Sequence, residues 1–178
     1  MRFSTLVFTL ILLCSISLTS NAKDNIQKSG DILQIALPLI GLGSTYFVEN
    51  NHDGSIAFLK ALTTSAISTL ALKTLTHERR PNGECCDSFP SGHTSVAFMT
   101  ASFIHLRYGI KYAIPAYLTA TFVGYSRVHA NVHYKRDVIA GAVVGILSSY
   151  LFTKKYDAVT ISPYVDHNSV GMQFSGSF

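Results

Sequence analysis

Six stretches of mainly apolar residues follow one another along the chain, separated by short polar connections. The first lies in MRFSTLVFTLILLCSISLTSNAKD; the others cover about 31–48, 56–75, 93–108, 112–127 and 138–153. Each is long enough for a helix, and several fall short of the roughly 20 residues of a full membrane span. Small residues punctuate them (Gly41, Gly43, Ala61, Ser65, Ala66, Gly141 and Gly145) and permit close helix packing in lipid. The pattern predicts an all-α, membrane-embedded bundle of five to six helices. A soluble all-α bundle with very apolar helices is the competing reading. Beyond residue 155 the pattern changes. Val159, Ile161, Tyr164 and Val165 precede Asp166-His167-Asn168, and Val170, Met172 and Phe174 then alternate with small or polar residues. This predicts a short C-terminal β-hairpin with its turn near 166–169, best read as a packing flap. The expected organisation is therefore 1–22, a signal peptide or first transmembrane helix; 23–155, the helical domain; and 156–178, the hairpin tail.

The two readings of the N-terminus rest on the same residues. Arg2, an apolar run and the small-residue end Ser20-Asn21-Ala22 fit a signal peptide cut after Ala22, while the run is close to the length of a short uncleaved span. Leu13 before Cys14 is too large for a lipoprotein cleavage site.

Composition sharpens the membrane reading. Hydrophobic residues make up 48% of the 178-residue chain and charged residues 13%, and the mean hydropathy is +0.29. The net charge of +4 is modest and the cations form no repeated stripe, so nucleic acid is not an expected partner. The cysteines offer no Cys-x-x-Cys spacing, and the adjacent Cys85 and Cys86 are poorly arranged for an ordinary disulfide. Cations also suggest an orientation. Arg107 and Lys111 flank one connection, and Lys154-Lys155 follows the last apolar segment. With these on the cytoplasmic side, 73–91 and 127–137 share the outer face.

That outer face gathers three polar clusters. In KTLTHERRP, Lys73 is followed after six residues by Arg80-Pro81, near a helix end set by the proline; such cations are often mere interface anchors. In FPSGHTS, Pro90 and Gly92 make a tight turn and His93 opens the next helix. A helix N-terminus favours an anion such as phosphate, and Ser91 can cap it or donate to an oxygen. An ordinary capped turn reads the same way. In SRVHANVHYKRD, continued helix would place His129, His133 and Asp137 on one face. Asp137 could then orient a histidine base, and spacing alone does not choose between His129 and His133. The same spacing also fits a His-x3-His-x3-Asp metal site. Together, fixed cations, a helix N-terminus and histidines suit phosphoryl transfer, which needs positive groups around the phosphate oxygens, a nucleophile and an acid.

The clusters resemble, in order and spacing, the three motifs of the type 2 phosphatidic acid phosphatase superfamily, which also includes bacterial acid phosphatases and vanadium haloperoxidases. The motifs are Lys73 with Arg80-Pro81; Pro90-Ser91-Gly92-His93; and Ser126-Arg127 with His133 and Asp137, within roughly residues 31–153. The resemblance implies that Lys73, Arg80, Arg127, Ser91 and the Gly92 N–H hold the phosphate. It implies that His133 is the nucleophile, Asp137 its orienter and His93 the general acid and base. It implies no metal and no cofactor. His129 matches no motif position. The segment between Pro81 and Pro90, NGECCDSF, is shorter than usual in the family and leaves no room for a large cap. The expected protein is a multi-pass phosphatase of the cytoplasmic (inner) membrane. It would act on a phosphorylated lipid, a monoester or diphosphate, with its site facing the periplasm or exterior. Competing readings are a non-specific acid phosphatase, a vanadium-dependent haloperoxidase and a non-catalytic lipid-binding protein. The sequence implies no oligomeric state.

Overall fold

The computed structural model describes residues 22–156, 159–166 and 169–176. Among them are five helices, α1 (Ala22–Val48), α2 (Asp53–Thr76), α3 (Gly92–Tyr108), α4 (Ile110–His129) and α5 (Lys135–Phe152). Strands β1 (Val159–Asp166) and β2 (Ser169–Gly176) pair antiparallel, with Val159 opposite Gly176 and Asp166 opposite Ser169. Residues 1–21, where the signal peptide or first span was expected, and residues 167–168, where the hairpin turn was expected, lie outside the described set.

The helices follow the apolar runs, and local chemistry sets their ends. α2 stops because His77 turns into the left-handed region (φ 44°) and its N–H caps the Lys73 carbonyl at 3.1 Å. The stop precedes Pro81 by four residues, so the proline is not its direct cause. Only Gly109, at φ +96°, separates α3 from α4, and a positive φ is what glycine supplies at a reversal this tight.

α3 is the central helix. Ala97, Met99, Ala101 and Phe103 are wholly buried on it, and Phe103 meets Phe58 of α2 edge to face at 5.0 Å. α5 packs on α3 almost backbone to backbone. A Cβ on Gly141 would lie 2.5 Å from the Ser91 carbonyl, and one on Gly145 would lie 2.7 Å from the Met99 nitrogen. The Ser149 hydroxyl continues the seam by donating to the Met99 carbonyl at 2.5 Å. Small residues one turn apart thus set the α3–α5 distance, as they do between helices in lipid. Gly145→Leu is expected to force the helices apart and cost about 1–3 kcal/mol by overpacking. A fall in the thermal unfolding midpoint in detergent checks it; an unchanged midpoint would mean the seam can yield.

Large apolar side chains cover the outside of the bundle as well as its core. Ile35 and Leu39 of α1, Leu59 and Leu70 of α2, Leu118 of α4, and Ile139 and Leu151 of α5 face outward. Inside are Ser65, Thr69, Thr94, Ser95, Thr100 and Ser102. So large an apolar exterior is unsuited to water and suited to lipid, while small polar residues serve the helix interfaces. Asn25–Val48 and Asp53–Thr76 are long and apolar enough to cross a membrane. The molecule is a membrane-embedded helical bundle, and the soluble-bundle reading is set aside on this surface.

Arg107, one of the cations used to suggest an orientation, is buried at the end of α3. Its guanidinium forks onto Glu49 through Nε at 2.9 Å and Nη2 at 2.6 Å, and Nη1 donates to the Lys154 carbonyl at 2.9 Å. Tyr108 Oη (2.7 Å) and the Gly54 N–H (3.1 Å) donate to the same carboxylate. A buried acid and base next to each other neutralise one another, which a count of cations along the sequence does not register.

Candidate active site

The antiparallel helices bring the end of α2, the start of α3, the end of α4 and the start of α5 to one end of the bundle, beside the first turns of α1. α3 is about 25 Å long at 1.5 Å per residue, so the Glu49–Arg107 clasp lies far from this end. All eight predicted site residues belong to it. Lys73 is in the last turn of α2, Arg80 in the 77–91 connection and Ser91 at the N-cap of α3. Gly92 and His93 open α3, Arg127 is in the last turn of α4, His133 is in the 130–134 connection and Asp137 is in the first turn of α5.

The third cluster departs from the continuous-helix expectation. α4 ends at His129, Asn131 takes a left-handed φ of 64°, and α5 starts only at Lys135. The break arises because Asp137 caps α5: Tyr134 N–H donates to Asp137 Oδ2 at 2.9 Å. His129 therefore leaves the face shared by His133 and Asp137, and its Nδ1 lies 3.3 Å from Tyr125 Oη. The His-x3-His-x3-Asp ligand set does not form, and no group of three metal-ligating side chains converges among the described residues.

His133 and Asp137 are 4% and 0% exposed. His133 Nδ1 is 3.5 Å from Asp137 Oδ2, too long for a good hydrogen bond, and neither Nδ1 nor Asp137 Oδ1 has a hydrogen-bond partner among the described residues, although Arg136 Nε lies 3.8 Å from that Oδ1. The second carboxylate oxygen is well held, accepting from Ser88 Oγ at 2.5 Å as well as from the Tyr134 N–H. Catalytic pairs are often this loose before ligand arrives. Burial, and then the Lys73 and Arg80 charges, hold the His133 imidazole below its ordinary range; Asp137 pulls the other way and is outweighed. The imidazole is therefore neutral near pH 7, with Nε2 as the nitrogen turned away from Asp137.

The cations are not bare. Lys73 donates to the Asp87 carbonyl, and Arg80 forks onto the Asp87 carboxylate through Nε at 2.9 Å and Nη2 at 3.1 Å. These Arg80 hydrogen bonds hold the Asp87 carboxyl below the usual carboxylate range. Arg127, only 3% exposed, donates to Asp31 Oδ1 at 2.6 Å and to the Gln27 carbonyl at 2.8 Å, and to its neighbour Ser126. His93 Nε2 lies 3.2 Å from the same Asp31 oxygen. Ser91 is wholly buried; its N–H donates to the Asp137 carbonyl at 2.9 Å and its hydroxyl accepts from Thr94 Oγ1 at 3.0 Å, so it makes no cap bond of its own.

Sequence reasoning missed Asp31, Asp87 and Ser88. Asp31 had one signal, an acid opening an apolar run; Ser88 had none. Arg136 is largely exposed and pairs with Glu78. Cys85 and Cys86 stand side by side in the short 82–89 segment.

This end of the bundle gathers buried Arg127, half-buried Lys73 and Arg80 and the N-terminus of α3 beside a neutral, shielded imidazole. Comparison with known proteins bears on it directly. Residues 54–161, more than half of the chain, match the family described as the PAP2 superfamily. Over 71 residues the chain is 46% identical to a lipid A 1-phosphatase of Porphyromonas gingivalis, covering 38% of this chain and 16% of that protein. Over 143 residues it is 31% identical to a lipid A 4'-phosphatase of Helicobacter pylori, covering 74% of this chain and 71% of that one. The crystal structure of Aquifex aeolicus LpxE superposes with a TM-score of 0.57 at 23% identity, over 68% of this chain and 83% of the other, which bears on the fold alone. With the family pattern spanning most of the helical bundle and a relative matched over most of its own length, the chain belongs to the PAP2 superfamily.

Proposed function

We propose that this protein is a membrane phosphatase that hydrolyses a phosphorylated lipid through a phosphohistidine intermediate. The observation that carries the reading is the meeting, at one end of a lipid-suited bundle, of three motif cations with a buried, neutral His133 against Asp137. Lys73, Arg80 and Arg127, with Ser91 and the Gly92 N–H, hold the phosphoryl oxygens and offset the charge that develops on them. His133 Nε2 attacks phosphorus. The P–N bond forms as the bond to the leaving oxygen breaks, and His93 gives that oxygen a proton. Water then attacks the phosphohistidine, His93 takes the water proton, and the P–N electron pair returns to His133. Asp137 orients His133 and steadies the positive charge the ring acquires. No step uses a metal or a cofactor.

The substrate class follows from the surroundings. An apolar exterior keeps the site at the lipid surface, where a chain-bearing phosphate is already concentrated. Two relatives are lipid A phosphatases, which favours the phosphate monoester of a glycolipid over phosphatidate, phosphatidylglycerophosphate or a polyprenyl diphosphate. Lys111, Lys154 and Lys155 lie toward the opposite end, which favours a site on the outer side of the cytoplasmic membrane. The test is phosphate release by detergent-purified protein across those four lipid classes. Release from the glycolipid, inhibition by vanadate and indifference to chelator are expected. Folded protein that releases phosphate from none of them would remove the proposal.

A further inference from the structure

We propose that Asp31, which lies in α1 outside the three motifs and outside the stretch that matches the family, is a positioning residue for His93. The inference rests on the phosphatase reading above. One carboxylate oxygen of Asp31 meets both His93 Nε2 at 3.2 Å and Arg127 Nη1 at 2.6 Å. The chain is built to bring it there. Gly30 lies so close to α4 that a Cβ would collide with the Ser126 hydroxyl and come within 2.7 Å of Arg127 Nη2. The Gln27 carbonyl, one turn earlier, accepts from that same Nη2 at 2.8 Å. Three successive contacts from the first turns of α1 thus dock on the Ser126-Arg127 pair, and Asp31 is the one that continues to His93.

The chemistry follows from which nitrogen is engaged. With Nε2–H donated to Asp31, Nδ1 carries the transferable proton. A carboxylate on one nitrogen stabilises the imidazolium that must exist when the leaving oxygen is to be protonated. It also offsets Arg127, whose charge would otherwise oppose that imidazolium from α4; Arg80, from the 77–91 connection, is the other cation acting on the ring. As the P–O bond breaks, Nδ1–H passes to the leaving alkoxide. Nδ1 then accepts the proton of the attacking water as the P–N bond to His133 breaks.

The experiment compares two phosphate esters under single-turnover conditions with enzyme in excess, so that only departure of the leaving group is read. A lipid phosphate has an alkoxide leaving group that needs a proton; p-nitrophenyl phosphate releases a phenolate that does not. Asp31→Asn is expected to slow the lipid ester about 10- to 100-fold and the p-nitrophenyl ester less than about threefold. Asp31→Glu recovers part of the loss. Gly30→Ala, which lifts α1 from Arg127 with the carboxylate still present, shows the same selectivity. Equal losses on both esters would make Asp31 a structural contact. Tighter vanadate inhibition with no loss of rate would make it a resting counter-ion of the phosphate cradle. Either outcome overturns the proposal. His133→Ala, measured alongside, separates the two levels: it should lose both esters alike, and if it loses neither, the phosphatase reading itself fails.

Discussion

Replacing His133 by alanine lowers phosphate release on the order of 10⁴-fold or more, because it removes the atom that bonds to phosphorus. Lys73, Arg80 and Arg127 remain in place, so the variant still binds vanadate and KM moves little beside kcat. A pulse of labelled lipid phosphate leaves an acid-labile, alkali-stable label on the wild type and none on the variant. Turnover within tenfold of wild type would sink the phosphohistidine route. Asp137→Asn loses less, since the amide oxygen can still accept from the Tyr134 N–H that starts α5. A pH profile supplies an independent check. Burial first, then Lys73 and Arg80, hold His133 below the ordinary imidazole range, so the acid limb due to its protonation falls below that range. Lys73→Met removes one of those charges and moves the limb to higher pH, besides weakening phosphate binding.

The largest loss of stability is expected at the other end of the bundle. Arg107→Ala leaves the Glu49 carboxylate buried, its side chain 0% exposed, without its cation. Breaking such a pair from one side costs about 3–5 kcal/mol, whereas replacing both partners can be nearly neutral. Arg107→Met combined with Glu49→Gln should therefore unfold nearer the wild type than Arg107→Ala does, although Tyr108 and the Gly54 N–H keep a partner only in part. Acid gives the same answer by titration. Burial raises the Glu49 carboxyl, but the Arg107 and Tyr108 hydrogen bonds outweigh it and leave the folded value below normal. A depressed carboxylate contributes stability above the unfolded value of about 4.3 and loses it as pH falls through the folded value. The wild-type unfolding midpoint in detergent should thus drop below about pH 4.3, and the doubly substituted protein should lack that component.

Much of the proposed site was legible in the sequence. Phosphoryl transfer demands particular side chains, and three short motifs state them: Lys73 with Arg80, Ser91-Gly92-His93, and Arg127 with His133 and Asp137. The helices were legible because lipid demands long apolar runs, and Gly141 and Gly145, one turn apart, announced a close helix seam. The family pattern, not the spacing, separated His133 from His129. The physical separator is the left-handed Asn131 and the cap that Asp137 places on α5, and neither carries a periodic signal. Only the tertiary structure decided the counter-ions. Asp31 reaches Arg127 across 96 positions of the chain and Glu49 reaches Arg107 across 58. No periodicity links such positions. They meet because α1 runs beside α3 and α4, and because a charge withdrawn from water must find a partner wherever the fold brings one within reach. Sequence alone therefore marked the groups that the phosphatase reading assigns and the apolar helices that carry them. The packing of α1 determined which of those charges are held and by what, and it set Asp31 against Arg127 and against Nε2 of His93.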